Sequence, residues 1–145
     1  MFISQISIFL ENVRGSLRGM AELLGEKKVN LLAISIADTS GFGIVRVIVN
    51  SNEIERTLSV LHETGYIAKP NHVVGVRVPH KPMGLAKVLA CLDDAAISVE
   101  YSYSFYRSTL DDACIIIRPS DLERSVSVLK AAGISMVSQE EVDGF

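Results

Sequence analysis

An internal repeat constrains the fold of this chain more than any other feature of its sequence. The segment ERTLSVLHETG at residues 55–65 and the segment ERSVSVLKAAG at residues 123–133 share the pattern E-R-x-x-S-V-L-x-x-x-G, and they lie 68 positions apart. The same offset, without a gap, aligns apolar positions along the rest of both halves. Such self-similarity indicates a tandem duplication. We therefore predict two units, residues 1–70 and residues 71–145, with almost no linker between them.

Each half passes through the same order of strand-like and helix-like patterns. The elements predicted in the first half are strands at 3–10, 29–37, 44–49 and 66–68, and helices around 17–24 and from Ser51 or Asn52 to Gly65. The elements predicted in the second half are strands at 73–78, 97–105, 113–117 and 134–139, and helices after Pro82 and from Ser120 or Asp121 to Ala132. This β-α-β-β-α-β order, present twice, predicts an α+β protein of two ferredoxin-like units, each an antiparallel sheet with both helices on one face.

The composition favours a packed, soluble protein and gives no general attraction for phosphates. Hydrophobic residues make up 48% of the chain and charged residues 21%, which is typical of a globular domain. The formal charge of -3 and the pI of about 5.6 disfavour a nucleic-acid partner. No apolar run reaches the roughly 18 residues of a membrane span, and Cys91 and Cys114 form no C-x-x-C pair. We therefore predict a reduced, cytoplasmic protein with no membrane partner and no nucleic-acid partner.

The stretch YSYSFYR at residues 101–107 raises the question of whether its rings stack on bases or belong to a core. Strict alternation divides the strand into two faces, with Ile97, Val99, Tyr101, Tyr103 and Phe105 on one and Ser98, Glu100, Ser102 and Ser104 on the other. A lone glutamate beneath the helices would be costly, so we predict that the serine and glutamate face is open and that the rings lie beneath the helices. This placement disfavours RNA recognition, which uses aromatic residues on the open face of such a sheet.

The same alternation, applied to the first half, predicts an exposed apolar patch. The patch consists of Phe9, Leu32, Ile34, Ile36 and Ile48 on the open face of the sheet. Because such a patch rarely stays in contact with water, we predict a homodimer in which two sheets stack face to face at about 10 Å. The alternative is a shift of one residue in the register, which would make the same side chains ordinary core.

The residues that usually carry catalysis form no recognisable motif. His62, His72 and His80 show no H-x-x-x-H spacing, and the sequence contains neither a nucleophile elbow nor a P-loop lysine motif. Acidic pairs such as Asp111 and Asp112 lie at predicted ends of elements, where they suit solvated caps. We therefore predict no catalytic residue, no metal and no cofactor, and a protein that is not an enzyme.

The turn between the first strand and the first helix, LENVRGSL at residues 10–17, is the best candidate for a binding site. A tight turn that contains Gly15 lets the backbone approach a ligand, and the free N–H groups of a helix start suit a carboxylate. Asn12 can add a donor and an acceptor at the same place. The alternative is that Asn12 and Gly15 only form the turn.

At these residues the sequence resembles the ACT domain family of small regulatory amino-acid-binding modules. In the first half, E-N-V-R-G-S-L followed by K-V-N-L-L is similar to the family pattern N-x-P-G-x-L followed by G-[IV]-N-I. In the second half, P-M-G-L-A-K-V-L followed by A-I-S-V is a weaker version, so that the resemblance covers the chain twice. The resemblance implies paired units, side by side in one eight-stranded sheet. It also implies an amino acid bound between units through the first loop and the start of the second strand.

Carried over residue by residue, the resemblance implies two unequal sites. The implied ligand-binding set is Leu10, Glu11, Asn12, Val13, Arg14, Gly15, Ser16, Leu17 and Asn30 in the first half, and His80, Met83, Gly84 and Ser98 in the second. Asn12 and Asn30 match the two asparagines of serine-binding members, but Leu10 stands where those members have a histidine. Arg14 replaces the usual proline, and its side chain could either pair with a ligand carboxylate or be a solvated side chain of the first helical turn. In the second half Met83 replaces the turn glycine, so the first loop is the better candidate.

The sequence therefore predicts a non-catalytic amino-acid sensor. Binding of a free amino acid would shift the packing of ACT units, and the output would pass to a separate enzyme or regulator. The alternative is a purely structural interaction module that binds no small molecule and docks on a partner through its apolar sheet. A third hypothesis is that the protein binds RNA.

Overall fold

A computed structural model describes residues 1–105 and 112–145 of the chain. Tyr106 and Arg107, which close the aromatic stretch, and Asp111 of the acidic pair lie outside the described residues. The chain divides into two compact units. The first unit is Ser4–Asn71, and the second unit is His72–Phe145 together with Met1–Ile3.

The helices and strands follow the predicted order in both halves. They are β1 (Ile3–Glu11), α1 (Ser16–Glu26), β2 (Ala33–Asp38), β3 (Phe42–Ile48), a 3-10 turn (Ser51–Glu53), α2 (Ile54–Glu63), β4 (Ile67–Pro79), α3 (Gly84–Asp94), β5 (Val99–Ser104), β6 (Asp112–Pro119), α4 (Leu122–Ala131), β7 (Met136–Val137) and α5 (Gln139–Asp143). The predicted β-α-β-β-α-β repeat of an α+β protein is confirmed. Two units of four strands would give eight, but the last strand of the first repeat and the first strand of the second are one continuous strand, β4. Seven strands are therefore assigned within the described ranges.

The helix ends have the local causes that the sequence indicates. Asn50, one residue before the predicted cap, caps the 3-10 turn that leads into α2, because its side chain accepts a hydrogen bond from the N–H of Asn52. Asp121 caps α4 through a bond from the N–H of Arg124 at 2.9 Å. Gly65 follows the end of α2 with a φ of 94°, a left-handed conformation that favours glycine.

The C-terminus differs from the prediction, because the strand predicted at 134–139 is short and gives way to helix α5. Ser138 and Glu141 form a capping box, in which the Glu141 carboxylate accepts a hydrogen bond from the N–H of Ser138 at 2.8 Å. Glu141 also pairs with Arg77 on β4. The Ser138 N–H and the Arg77 guanidinium together hold the pKa of Glu141 below its usual value.

In the first unit, β3 pairs antiparallel with β1 on one side and with β2 on the other. Directly opposed residues share a face of the sheet. The face beneath the helices carries a core made of Ile6, Ile8, Leu10, Val45 and Val47 from the strands and Met20, Leu24 and Leu61 from α1 and α2. Each fully buried aliphatic side chain of this kind contributes about 1.5–3 kcal/mol of transfer free energy.

In the second unit, β6 pairs antiparallel with β4 and with β5, and β7 pairs with β4. Its helix-side core is built in the same way, from Val74, Val76, Val78 and Ile117 on the strands and Val88, Leu92 and Leu129 on α3 and α4.

A β-bulge in β5 reverses the faces that the sequence predicted for its aromatic residues. The register shifts within residues 99–101, so that one residue is left over in the ladder. Beyond the shift, Ser102 lies opposite Ile117, and Tyr103 lies opposite Ile116. Ile117 belongs to the core beneath the helices, and Ile116 alternates to the other face. The prediction that the tyrosines lie beneath the helices is therefore wrong, since they lie on the opposite face and the serines lie on the core side.

A corresponding irregularity occurs in the first unit, at the position 68 residues earlier. Leu31 packs against the core, and so does Val47, which lies opposite Ile34. Leu31 and Ile34 thus share a face although they are three residues apart, whereas strict alternation would put them on opposite faces. The strict alternation predicted over residues 29–37 therefore does not extend back from β2, which starts at Ala33, to Leu31.

The predicted apolar patch is consequently wrong as a single surface. Ile34 and Ile36 lie on the core side of β2, whereas the registers place Phe9 and Ile48 on the opposite face. Exposure is confirmed for Phe9, Ile34 and Ile36, but Ile48 is fully buried and Leu32 is half-buried. The face-to-face homodimer inferred from these five residues loses its basis.

The helices of the described ranges are all too short or too polar to cross a lipid bilayer.

Candidate functional site

The turn after β1 is a compact connection, residues 12–15, that ends on Gly15. The N–H of Val13 donates to the carbonyl of Glu11 at 2.9 Å, and the N–H of Ser16 donates to the carbonyl of Val13 at 3.2 Å. Gly15 has a φ of 89° and a ψ of -10°, a left-handed conformation that favours glycine. Gly15 thus has the backbone role that the sequence predicts.

Helix α1 starts directly after this turn, and its first N–H groups point away from the helix. The first helical bond at this end runs from the N–H of Gly19 to the carbonyl of Gly15 at 2.9 Å, so the N–H groups of Leu17 and Arg18 precede it. No side chain among the described residues caps the helix. Free N–H groups at the positive end of a helix can donate to an anion.

Asn12 ties the turn to the connection between β2 and β3. Its Nδ2 donates to Oδ1 of Asp38 at 2.7 Å and to the carbonyl of Thr39 at 3.4 Å. The N–H of Thr39 in turn donates to the carbonyl of Phe42 at 3.0 Å, which closes the connection. Both amide hydrogens of Asn12 are therefore committed within the protein, and Oδ1 is the atom that can accept from a ligand. The sequence identified Asn12 but gave no signal for Asp38.

Two clefts flank the turn, and both lie within the first unit. The smaller cleft measures about 150 Å³ and is lined by Leu10, Glu11, Asn12, Val13, Ser16, Leu17, Ile36, Asp38, Gly43 and Val45. The larger cleft measures about 520 Å³ and is lined by Phe9, Leu10, Glu11, Ser16, Phe42, Gly65, Tyr66 and Ile67. Leu10, Glu11 and Ser16 line both clefts, so the end of β1 and the start of α1 form their common wall.

Exposed apolar side chains concentrate around these clefts. Of the ten large hydrophobic residues that are exposed in the described ranges, six line one cleft or the other: Phe9, Val13, Leu17, Ile36, Phe42 and Ile67. Scattered exposed apolar residues are ordinary, but a contiguous group marks a surface that binds something. Met83 and Leu85, two more of the ten, lie at the corresponding turn of the second unit.

The structure does not gather all the predicted residues of the first unit. Arg14 and Gly15 are exposed in the turn but line neither cleft. Asn30 is exposed in the connection between α1 and β2 and also lines neither cleft. Conversely, the sequence missed Phe42, Tyr66 and Ile67, which come from distant parts of the chain and enter the larger cleft at element ends.

The second turn has the same backbone shape but is more tightly packed. Met83 takes the left-handed conformation, with a φ of 71°, and Gly84 starts α3. A Cβ at Gly84 would lie 2.5 Å from the carbonyl oxygen of Pro79, so the helix start lies directly against the strand end. His80 is exposed in this turn, and the N–H of Ser98 donates to Oγ of Ser120 at 3.1 Å. Neither of the two clefts includes a second-unit residue.

The described residues offer no group that suits metal or thiol chemistry near the turn. They contain no cluster of three or more His, Cys, Asp or Glu side chains that could hold a metal ion. Cys114 is buried on β6, where burial raises the pKa of its thiol to about 11, against a smaller lowering by Arg77 and with a small further rise from Glu141. A thiol with such a pKa is protonated near neutral pH and is a poor nucleophile.

These features define a tandem pair of ferredoxin-like units with an open β–α turn in the first. The sequence matches the ACT domain pair family over residues 1–144, and the chain belongs to that family. The resemblance to ACT domains in the sequence is thus confirmed.

Solved structures give the same fold. The chain is similar to protein BT0572 from Bacteroides thetaiotaomicron, with 33% identity, a TM-score of 0.89, and coverage of 100% of this chain and 98% of that one. It is also similar to the regulatory subunit of aspartate kinase from Thermus thermophilus in its ligand-free form, with 16% identity, a TM-score of 0.66 and 90% coverage of each chain. Aspartate kinase from Synechocystis shows 18% identity and a TM-score of 0.61, over 97% of this chain and 25% of that one. None of the curated proteins matches the sequence significantly.

Proposed function

We propose that this chain is a non-catalytic regulatory protein that binds a free amino acid at the first β–α turn. The observation that carries the proposal is the concentration of exposed apolar side chains around the start of α1, where backbone N–H donors are also available. Apolar walls with a few oriented polar groups are typical of small-molecule sites. Membership of the ACT domain pair family and the similarity to a regulatory subunit of aspartate kinase support the regulatory role.

The turn supplies a complementary group for each end of an amino acid. The N–H groups of Leu17 and Arg18 suit the carboxylate, and the exposed guanidinium of Arg14 adds a cation in the same turn. Glu11, which lines both clefts, suits the α-ammonium group. No metal or cofactor is needed for such binding.

Regulation follows if the ligand binds one arrangement of the ACT units more tightly than another. Binding then shifts the equilibrium between the arrangements by the difference in affinity, and by nothing more. The change passes to a separate enzyme or regulator in the cytoplasm.

A purely structural interaction module is the second candidate. The same six exposed apolar side chains that line the clefts favour it, because a protein partner could cover them as well as a ligand could. Under this alternative the protein docks on its partner and responds to no small molecule.

Thermal unfolding of the purified protein with each of the twenty amino acids at about 1 mM separates the two candidates. A ligand at about 100 times its Kd stabilises the folded state by roughly 2.7 kcal/mol, which is several degrees in Tm for a chain of this size. A selective shift supports the sensor. A flat panel, with folded protein shown by mass spectrometry to carry no ligand, contradicts the sensor and favours the interaction module.

A matched pair of variants then tests the site. Arg14→Ala should reduce the ligand-induced shift, whereas Arg124→Ala, which changes an exposed arginine on α4, should not. Without ligand, both variants should unfold at nearly the wild-type temperature, because changes to exposed side chains usually alter stability by less than about 0.5 kcal/mol. If the ligand raises the Tm of both variants equally, Arg14 does not contribute to ligand binding.

A further inference from the structure

We infer that the larger cleft holds the side chain of the ligand, and that the ligand is therefore a large apolar or aromatic amino acid. This inference rests on the proposed function, because it assumes that an amino acid binds at the first turn. It adds the class of amino acid and the residues that select it.

The size of the two clefts decides which of them can hold a ligand. Sites for small molecules generally measure about 300–1,000 Å³. The larger cleft, at about 520 Å³, lies within that range, whereas the smaller one, at about 150 Å³, lies below it. A ligand anchored at the shared wall of Glu11 and Ser16 therefore has room for a bulky side chain on the side of the larger cleft.

The walls of the larger cleft are mostly aromatic and aliphatic. Phe9 and Phe42 are in ring contact, with centroids 6.0 Å apart and planes inclined by 43°. Tyr66 closes another side, where its ring packs against the core and its hydroxyl approaches α1, since a Cβ at Gly19 would lie 3.8 Å from it. Ile67, at the start of β4, is largely exposed and completes the apolar lining.

The charge of the cleft also restricts the ligand. Among its described lining residues, Glu11 is the only one with a formal charge at neutral pH, and it forms no ion pair with another described residue. One carboxylate matches the single α-ammonium group of an amino acid with an uncharged side chain. An acidic side chain would bring a second negative charge next to Glu11, and a charged side chain of either sign would lose water against apolar walls.

Phe42 is the residue that the geometry points to as the selectivity determinant. Its side chain is 45% exposed, so it contributes little to the core, yet its ring forms a wall of the cleft. Its backbone pairs with Glu11 in the β1–β3 ladder, and this pairing does not depend on the side chain. Removing the ring should therefore change the cleft and leave the sheet in place.

Isothermal titration calorimetry of the full chain with L-phenylalanine, L-leucine, L-serine and L-lysine tests the inference. L-phenylalanine should bind at least about tenfold more tightly than L-serine or L-lysine. The transfer free energy of its ring from water into an apolar cleft exceeds the difference in binding free energy that corresponds to a tenfold change in Kd. Phe42→Ala should weaken L-phenylalanine binding by about tenfold or more. Ile34→Ala, which removes a side chain of equal exposure that lines neither cleft, should leave binding unchanged. Phe42→Leu, which keeps an apolar wall, should lie between wild type and Phe42→Ala and serves if the alanine variant folds poorly.

The outcomes separate the inference from the proposed function. If L-serine or L-lysine binds as tightly as L-phenylalanine, or if the Phe42 variants bind L-phenylalanine like wild type, the inference is wrong and the sensor function stands. If none of the twenty amino acids binds to folded, ligand-free protein, the proposed function fails and the inference fails with it.

Discussion

Replacing Gly84 with alanine should destabilise this protein, because the start of α3 lies directly against the end of β4. A Cβ at position 84 would lie 2.5 Å from the carbonyl oxygen of Pro79 and 2.9 Å from Cγ1 of Val78. The closer of these contacts is with a backbone atom, so rotation of a side chain cannot relieve it. The strand end and the helix start would have to move apart.

The expected magnitude follows from two opposing effects. Overpacking of this kind costs about 1–3 kcal/mol. Alanine in place of glycine within a helix returns about 0.5–1 kcal/mol, mostly through the unfolded chain. The net loss for Gly84→Ala is therefore up to about 2.5 kcal/mol, which lowers the Tm of a chain of this length by up to roughly 8 °C.

Gly25→Ala in α1 is the matched control, because the same chemical change meets no obstacle there. Apart from its chain neighbours and the backbone of its own helix, a Cβ at position 25 would have no described heavy atom within 4 Å. This variant should gain about 0.5–1 kcal/mol and unfold a few degrees higher than wild type. Differential scanning calorimetry measures the change in Tm of each variant relative to wild type and so tests both predicted signs. Gly84→Ala as stable as Gly25→Ala would refute the close approach of helix and strand at the second turn.

Three other perturbations test the polar and thiol groups. Because the pKa of Glu141 is lowered in the folded state, its carboxylate stabilises the fold above the ordinary carboxyl pKa, and this contribution is lost as the pH falls through the pKa of the folded state. The Tm difference between wild type and Glu141→Gln should therefore shrink from about pH 7 to about pH 3. A Tm difference that does not change with pH would contradict this prediction. Because Cys114 is buried and the pKa of its thiol is raised, it should react with iodoacetamide only as the protein unfolds, whereas half-buried Cys91 should react sooner. Peptide mass spectrometry follows the two reactions. Equal rates would show that Cys114 is accessible in the folded protein. Asn12→Ala should speed hydrogen exchange in the β2–β3 connection and lower the free energy of unfolding by up to about 1 kcal/mol, because it removes the hydrogen bond to Asp38. Asp38→Asn should have a smaller effect, because it keeps an acceptor. Unchanged exchange in Asn12→Ala would mean that this hydrogen bond does not hold the turn.

The order of elements could be predicted from the sequence because the repeat supplies the same evidence twice. The helices of the repeat have an apolar stripe, and a glycine follows the second helix of each half at the offset of 68 residues, Gly65 in the first half and Gly133 in the second. The faces of the second strands could not be predicted in this way, because alternation is reliable only while every residue is paired. In β5 the predicted faces depended on Glu100, which lies at the register shift itself and so belongs to neither alternating series.

The candidate site was predictable in part for a related physical reason. The turn of residues 12–15 is local, so its glycine and its position before a helix are visible in the sequence. The walls of the larger cleft are not local, because Phe42 and Tyr66 reach it from the start of β3 and from the end of the α2–β4 connection. Neither residue has a spacing that distinguishes it from an ordinary core residue, and only the register and the exposed fractions identify its position.

The two β–α turns of the repeat have the same backbone shape, but they differ in how much space remains beside the start of the following helix. At the position of Gly15, the second unit has Met83, which holds a left-handed conformation that costs an L-residue about 1–2 kcal/mol. At the position of Ser16, it has Gly84, and the missing side chain lets α3 close on Pro79. In the first unit the serine Cβ is present, and the space beside it opens into the larger cleft. One added side chain at the helix start thus prevents the close packing seen in the second unit, and this is the physical basis for expecting the two halves to bind a ligand unequally.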